Sequence, residues 1–238
     1  MITKILLKIK KGDTPFWRKI RKLGLTIIRF NIPTFRPLHL FLFYLHNFLV
    51  QFIKLIYIKI WCVPLFKARC ECVGKRLFLP NGIPLVVGHT RIIIGDNVTI
   101  YRTTIGSTKI GEDPILKIGN NVTIGYGTVI SVGKKISMGN YVMIGPHCFI
   151  ADNDGHPLNP QKRMKRSPVD VKDIKEVIIE DNVWIGNHCT ITKGVRIGKN
   201  SVIGANSLVT KNIPENCIAI GVPARVLMKD IDHWYTYK

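Results

Sequence analysis

The most constraining feature of this 238-residue chain is a series of aliphatic residues that recur every six positions. An α-helix repeats about every 3.6 residues and an ordinary strand about every 2, so neither produces a period of six. A prism does, because each six-residue unit then forms one short strand and one corner, with the spaced aliphatic residue pointing towards the axis. The unbroken series is Ile179, Ile185, Ile191, Ile197, Ile203 and Val209; earlier members are Ile94, Ile100, Ile118, Ile124 and Ile130, and, after a slip of two residues, Met138, Ile144 and Ile150.

Small and turn-forming residues accompany this series. Glycine follows the aliphatic residue in many units, and asparagine recurs near the expected corners at Asn97, Asn121, Asn182 and Asn200. Asparagine tolerates the positive φ that a tight corner requires. The pattern therefore predicts an all-β main domain, a parallel β-helix whose stacked coils bury a core that no single coil could bury.

The C-terminal part of the series also resembles a known family. Between Val183 and Arg225 the chain contains V-W-I-G-N, I-G-A-N-S-L-V-T-K and G-V-P-A-R-V, as in the hexapeptide-repeat acyltransferases and especially the galactoside, maltose and related sugar O-acetyltransferases. The resemblance implies a left-handed β-helix, although the general rule for crossovers would favour the right hand. It further implies a homotrimer and acetyl-CoA as the acetyl donor.

The repeat is interrupted by a polar loop at residues 152–175, which is rich in proline and glycine. Long excursions from a rigid scaffold often carry function. The resemblance places the catalytic histidine in a G-H-P segment of such a loop, and His156 is the match. A histidine can remove the proton of an attacking hydroxyl near neutral pH. Asp152 and Asp154 are both close enough in sequence to orient it.

The resemblance also assigns the donor side. The backbone N–H of Asn187 would face the thioester carbonyl and stabilise the oxyanion, which makes Asn187 both a catalytic and a cofactor-binding residue. Arg225 would meet the phosphates of the cofactor. The remaining cofactor-binding residues are Ala205, Thr210 and Lys211, and the substrate-binding residues are Trp184 and Tyr126.

Other histidines and the cysteines are expected to be structural. His147 and His188 occupy equivalent places in I-G-P-H-C and I-G-N-H-C, as corner residues would. A γ-carbonic anhydrase-like metal enzyme shares the expected fold, but the His pair at five-residue separation is missing, so no metal is expected. The six cysteines form no zinc pattern and are expected to be reduced in cytoplasm.

The front of the chain differs from the repeat. Residues 1–36 contain ten Lys and Arg but a single acid, Asp13. Thr14 and Pro15 have the pattern of a helix N-cap and first helical residue. An apolar stripe follows at helical spacing, namely Phe16, Ile20, Leu23 and Ile27. This basic, amphipathic composition favours a polyanionic partner.

A second, more apolar segment runs from Leu38 to about Trp61. Its charge-free stretch, residues 37–53, is shorter than the roughly 20 residues of a membrane span. A polar edge recurs along it at His39, His46, Asn47, Gln51 and Lys54. The pattern favours a helix in the interface of an anionic membrane over helices packed on the protein itself or on sister subunits, and over a true span. It does not favour nucleic acid.

The sequence thus predicts a helical segment at residues 1–80 and a β-helix domain at residues 81–238, ending in a short C-terminal helix. We expect an acetyltransferase that modifies a sugar hydroxyl, in a polysaccharide or lipid-linked glycan precursor, in the cytoplasm and peripheral on the inner face of a bacterial membrane. Two alternatives are an N-acetyltransferase for an amino sugar nucleotide and a non-catalytic β-helix binding protein.

Overall fold

Three parallel sheets form the walls of a left-handed β-helix in this computed structural model, which describes residues 2–107 and 113–231. Sheet A contains β1 (Cys72–Val73), β3 (Arg91–Ile94), β6 (Ile115–Ile118), β9 (Lys135–Met138), β12 (Val177–Ile179) and β15 (Arg196–Ile197). Sheet B contains β4 (Thr99–Ile100), β7 (Thr123–Ile124), β10 (Met143–Ile144), β13 (Trp184–Ile185), β16 (Val202–Ile203), β18 (Cys217–Gly221) and the antiparallel β19 (Ala224–Lys229). Sheet C contains β2 (Leu85–Val87), β5 (Thr104–Ser107), β8 (Val129–Val132), β11 (Phe149–Ala151), β14 (Thr190–Ile191) and β17 (Leu208–Val209).

The six-residue spacing places one aliphatic side chain per strand on the axis. In sheet A, Ile118 pairs with Ile94 on one side and with Met138 on the other. In sheet C, Ile150 pairs in the same way with Ile130 and Ile191. All six of these side chains are buried. Burial of one aliphatic side chain per strand therefore supplies the core, as the period predicted.

Asparagine and glycine have different roles at the corners. Asn97, Asn121, Asn182 and Asn200 adopt φ values between 57° and 60°, as predicted. Glycine instead permits the close approach of the next coil: a Cβ on Gly119 would lie 2.4 Å from the carbonyl oxygen of Gly139. Asparagine therefore forms the corners, as predicted. Gly119 is instead needed because a larger side chain would not fit against the next coil.

The two-residue slip in the repeat lies at the turn between β8 and β9. The turn passes from sheet C to sheet A through Gly133 and Lys134. Its backbone N–H groups point to a side chain of the following coil, Asp152. The irregularity in the spacing therefore marks a place where the scaffold binds the start of the long loop.

Helices precede the β-helix. They are α1 (Ile2–Lys11), α2 (Pro15–Arg29), α3 (Arg36–Tyr57), a π-helical turn (Ile58–Cys62) and α4 (Val63–Arg69). The predicted start of α2 is confirmed, since Pro15 is its first residue and the backbone N–H of Trp17 donates to the Thr14 hydroxyl at 3.4 Å.

The chain divides into two compact units, Met1–Gln51 and Phe52–Lys238. The prediction had placed the boundary at residue 80. In the second unit, Ile58, Cys62 and Phe66 are spaced by four residues, are buried, and belong to the same apolar core as Leu77 and Leu79 of the first coil. These helical residues thus cover the core of the first coil. A repeat structure needs such a cap at its end.

The helical stretch Arg36–Arg69 is long and apolar enough to cross a membrane by length and composition alone. Its most apolar window has a mean hydropathy of 1.7, and 11% of that window is buried. The short C-terminal helix of the prediction falls mostly on residues 232–238, which lie outside the described residues.

Candidate active site

The loop at residues 152–175 is folded and fixed at both ends. The backbone N–H of Asp152 donates to the Ser131 carbonyl at 3.3 Å, and the Lys175 N–H donates to the Asp152 carbonyl at 2.9 Å. Inside the loop, α5 (Pro160–Met164) is capped by Asn159, whose side-chain oxygen accepts from the N–H of Gln161 at 2.9 Å. The entry and exit of the loop therefore meet on one residue of the scaffold.

Asp152, predicted as a possible partner of His156, is used elsewhere. Its side chain is 0% exposed, and its oxygens accept from the N–H groups of Gly133, Lys134 and Lys135 at 2.6, 2.7 and 2.8 Å. The side-chain amide of Asn153 donates to it at 2.8 Å. A buried carboxylate needs such donors to offset its desolvation. Asp152 thus binds the turn between β8 and β9.

Asn153 is a residue of the site that sequence reasoning missed. It is 5% exposed, and its side-chain oxygen accepts from the Gly155 N–H at 2.9 Å. Its amide nitrogen also lies 3.3 Å from the Ser131 hydroxyl. The signal in the sequence was an asparagine two residues before a glycine, which is typical of a side chain that closes a turn on the backbone. Asn153 therefore fixes the residue that precedes His156.

His156 is exposed and follows Gly155, which adopts a φ of 75°. Within the described residues, no side chain or backbone group is hydrogen-bonded to its ring. Asp154, the second predicted partner, instead forms an ion pair with Lys193 of the next coil. The structure thus brings His156 and both acids into one short segment, but both carboxylates are bonded to other groups, and in the described part of the chain neither is hydrogen-bonded to the imidazole.

A small pocket of about 220 Å³ lies beside this segment. Strands of sheet C provide its floor, with Phe149 half exposed, and the start of the loop provides one wall. Its lining includes Ser131, Phe149, Asp154, Gly155, Thr192 and Lys193. The pocket places an aromatic face, a hydroxyl and an ion pair next to the residue before His156.

The loop carries a further ion pair away from His156. The Lys162 ammonium donates to both oxygens of Asp170 at 2.8 Å. This hydrogen bond lowers the pKa of the Asp170 carboxyl below its ordinary value. The guanidinium of Arg163 donates to the Pro157 carbonyl at 3.1 Å, which ties α5 to the residue after His156.

The corner between sheets B and C holds the predicted oxyanion donor. Asn187 is exposed there, and in the part of the chain that the structure describes no acceptor is bonded to its backbone N–H. Pro146 occupies the equivalent position of the preceding coil, so the fold does not need an N–H at this corner. The N–H of Asn187 is therefore available to a ligand.

Tyr126, His147 and His188 form a column along the same edge. The rings of His147 and His188 are stacked with centroids 5.1 Å apart, and Tyr126 meets His147 edge-on at 5.7 Å. Both histidines adopt positive φ, 58° and 56°, which confirms that they are corner residues. Tyr126, predicted to bind substrate, belongs to this column.

Two buried thiols lie behind the stacked histidines. Cys148 donates to the Gly186 carbonyl at 3.1 Å and Cys189 donates to the Gly204 carbonyl at 3.2 Å. Contact between the two thiols raises the pKa of Cys148 and lowers that of Cys189 to about 7. Among the described residues, no group of three or more His, Cys, Asp or Glu side chains could hold a metal ion.

The other predicted donor-side residues lie on the C-terminal coils. Ala205 occupies the corner equivalent to Asn187 one coil later, since the Asn206 N–H donates to the Asn187 carbonyl. Thr210 and Lys211 follow β17 and are exposed, as is Arg225 on β19. Trp184 is 52% exposed on the outer face of sheet B. These residues are accessible, and they are spread along the prism rather than gathered in one pocket.

The three faces of the prism differ in charge. The outer face of sheet A carries Arg91, Lys117, Lys135 and Arg196. By contrast, the described strands of sheet C, and those of sheet B from β4 to β18, contain no charged residue. Met143 and Trp184 on sheet B and Leu85 and Phe149 on sheet C are instead exposed apolar side chains.

Fold and repeat together define a left-handed β-helix of hexapeptide units with an excursion loop. Residues 176–211 match the family described as "Bacterial transferase hexapeptide (six repeats)". The galactoside O-acetyltransferase of Escherichia coli is 36% identical over 143 residues, which are 57% of this chain and 68% of the relative. A putative lipopolysaccharide biosynthesis O-acetyl transferase of the same species is 34% identical, over 37% of this chain and 46% of the relative.

One solved structure is similar as well. A hexapeptide-repeat-containing acetyltransferase from Vibrio cholerae superimposes with a TM-score of 0.50 at 25% identity, covering 75% of this chain and 86% of that one. The chain therefore belongs to the hexapeptide-repeat acetyltransferases. The resemblance drawn from its sequence and the predicted left-handed β-helix are both confirmed.

Proposed function

We propose that this protein transfers an acetyl group from acetyl-CoA to a hydroxyl of a sugar, with His156 as the general base. The observation that carries the proposal is the anchored loop: Asp152 and Asn153 fix the backbone up to Gly155, and the ring of His156 remains exposed. A positioned base beside an open surface suits deprotonation of a hydroxyl that arrives from solution. The galactoside O-acetyltransferase relative acts on the same substrate class by its name.

In the proposed reaction, the imidazole of His156 takes the proton of the sugar hydroxyl as its oxygen attacks the thioester carbonyl. The C–O bond forms, and the carbonyl oxygen gains a negative charge that the free N–H of Asn187 would stabilise. Collapse of this intermediate breaks the C–S bond. The imidazolium returns its proton to the departing sulfur, so that an acetyl ester and free CoA are produced.

We assign donor binding to the C-terminal coils. Lys211 and Arg225 are exposed cations on that part of the prism, and a guanidinium suits the phosphates of CoA. Ala205 and Thr210 are exposed and small enough to let a pantetheine arm lie along the coils. Trp184 would form a wall near the reacting end, and Tyr126 would lie on the acceptor side.

We further propose a closed homotrimer. The described strands of sheet C, and those of sheet B from β4 to β18, contain no charged residue and expose Met143, Trp184, Leu85 and Phe149, whereas sheet A is charged. Two uncharged faces on one prism match a ring in which each subunit offers one face to each neighbour. The residues of the proposed site are spread over both faces, so a site between subunits would bring together what one chain leaves apart.

For the acceptor, we propose a polysaccharide or lipid-linked glycan precursor. The extra basic and apolar helices before the β-helix support an acceptor held at a membrane, and the lipopolysaccharide-related relative supports a glycan.

The test is release of CoA from acetyl-CoA by the full-length protein with free sugars, nucleotide sugars and lipid-linked glycans, with the mass of each product. An increase in product mass by one acetyl group, stable to acid but released by mild base, is the expected O-ester. An amide product on an amino sugar nucleotide would replace the proposal with N-acetylation. Failure of His156→Ala to reduce turnover on the accepted substrate would contradict the assigned base.

A further inference from the structure

Helices α1 and α2 of the first unit, and α3, which continues into the second, expose large apolar side chains. None of the described side chains of α2 or α3 is buried. On α2, the exposed fractions are 63% for Phe16, 61% for Leu23, 66% for Ile27 and 78% for Ile28. A contiguous apolar patch of this kind is rare on a protein surface in water. Where one occurs, it usually marks a site that contacts a partner or a membrane.

The opposite side of α2 is cationic. Arg18, Arg21, Lys22 and Arg29 line a groove of about 370 Å³ with Leu25 and Thr26. The hydroxyl of Thr26 donates to the Lys22 carbonyl at 2.9 Å, so it is satisfied within the helix. The helix therefore presents an apolar side and, on the opposite side, a groove suited to anionic oxygens.

Two polar side chains of α3 are hydrogen-bonded to backbone carbonyls one turn earlier. The ring N–H of His39 donates to the Phe35 carbonyl at 2.9 Å, and the side-chain amide of Asn47 donates to the Phe43 carbonyl at 2.8 Å. A helix that enters an apolar medium needs such internal bonds, because lipid offers none. Self-satisfied polar groups among exposed Leu and Phe side chains thus suit contact with lipid.

The positive charge of residues 1–36 favours an anionic lipid headgroup. Residues 1–36 carry ten Lys and Arg against Asp13, and no further acid occurs before Glu71. We propose that α2 lies in the plane of an anionic bilayer, its Arg18–Arg29 groove binding lipid phosphates while Phe16, Leu23 and Ile27 enter the acyl boundary. The proposal is independent of the acetyl transfer. A bilayer fits better than an acidic protein, because α2 has an apolar side for the acyl boundary and an opposite, cationic side for headgroups.

The experiment is sedimentation of the full-length protein with vesicles of phosphatidylcholine alone or mixed equally with phosphatidylglycerol. Binding to the mixed vesicles is expected at low salt, with weak binding to phosphatidylcholine. Exchange of Arg18, Arg21, Lys22 and Arg29 for Gln should lower the partition coefficient on the order of 10²–10³-fold at low salt, since each cation near the surface contributes to attraction. A matched control exchanges Lys67, Lys75, Lys117 and Lys199 for Gln, with the same change in net charge and little expected loss.

Replacement of Phe16, Leu23 and Ile27 by Gln should leave binding that high salt removes completely, because screening acts on the charges and not on apolar burial. Equal loss in the control variant, or equal binding to both vesicle types, would overturn the proposed groove. Absence of binding at low salt would overturn the membrane surface itself. A lower mass of the apolar variant by light scattering without vesicles would show that the helices pack on sister subunits instead.

Discussion

Replacement of the buried carboxylate of Asp152 tests whether the loop is held as the structure indicates. In Asp152→Asn, the side chain keeps its shape but loses its charge, and one oxygen becomes an NH₂ that faces backbone donors. Of the three backbone N–H groups that donate to Asp152, that of Gly133 belongs to a buried residue, that of Lys135 to a half-buried one and that of Lys134 to an exposed one. The bond from Gly133 is buried, whereas those from Lys134 and Lys135 are partly exposed, so only these two donors can gain water as a new partner.

The magnitude follows from those donors. A buried N–H left without an acceptor costs about 1–3 kcal/mol, and a hydrogen bond to a charged acceptor contributes about 1.5–3 kcal/mol. We count one buried donor in full and the exposed ones in part. The free energy of unfolding should then fall by about 2–4 kcal/mol. Asp152→Ala should cost more, because it also leaves a cavity and removes the acceptor of Asn153.

The assay is urea denaturation at fixed protein concentration, which matters if the protein is an oligomer. Turnover is measured in parallel at a temperature where the variant remains folded. Asp170→Asn is the matched control, because its carboxylate is in the same loop but pairs with Lys162 at the surface. It should cost less than about 1 kcal/mol. If Asp152→Asn left the free energy of unfolding unchanged but greatly reduced turnover, the structural role would be refuted. Asp152 would then again be a candidate catalytic residue.

Three further predictions concern the proposed chemistry and the packing of coils. His156→Ala should lower kcat by roughly 10²–10⁴ and leave the KM for acetyl-CoA nearly unchanged. His147→Ala and His188→Ala should lower thermal stability before they lower turnover. Normal turnover in His156→Ala together with a loss in either of the other two variants would mean that another histidine is the base. Arg225→Ala should raise the KM for acetyl-CoA more than it lowers kcat, since a remote phosphate contact binds ground and transition states alike; an unchanged KM in steady-state kinetics would remove Arg225 from the donor site. Gly119→Ala should lower the free energy of unfolding by about 1–3 kcal/mol, because its Cβ would meet the Gly139 carbonyl oxygen at 2.4 Å. Gly106→Ala is the control, since among the described residues no atom beyond its chain neighbours lies within 4 Å of the added Cβ, and equal losses would exclude the close approach as the cause.

The repeat could be read from the sequence because its contacts are regular. Ile118 meets Ile94 and Met138 since each lies one coil away, and the coil length follows from the number of residues between corners. Likewise Asn121 needs only its own backbone conformation to form a corner. Such features depend on spacing and on local φ, and both are present in a single sequence.

The partners of the loop could not be predicted in this way. Asp152 reaches Gly133, 19 residues earlier, and Asp154 reaches Lys193, 39 residues later. Both acids were expected near His156 because they are close to it in sequence. Asn153, which was not expected to matter, closes the turn before the histidine. Proximity to His156 in sequence does not decide which group a side chain contacts, because the loop lies against coils that precede it and coils that follow it in the chain.

The apolar front segment shows the same division. Its composition predicted helices, and α2 and α3 are helices. However, sequence could not show that Ile58, Cys62 and Phe66 are buried with the first coil whereas Phe41 and Phe43 stay exposed, since both groups have similar hydropathy. Burial there depends on which helical turns meet the end of the β-helix core.

Spacing and motifs along the chain are therefore enough to predict the period, the corners, the family and His156 as the base to test. Tertiary structure alone decided where the carboxylates of Asp152 and Asp154 point, which face of the prism is charged, and which apolar helix residues are covered. The physical reason is that repeat contacts are set by a constant separation along the chain. Contacts of a loop or an end are set instead by distances in space, which arise only after the coils have stacked.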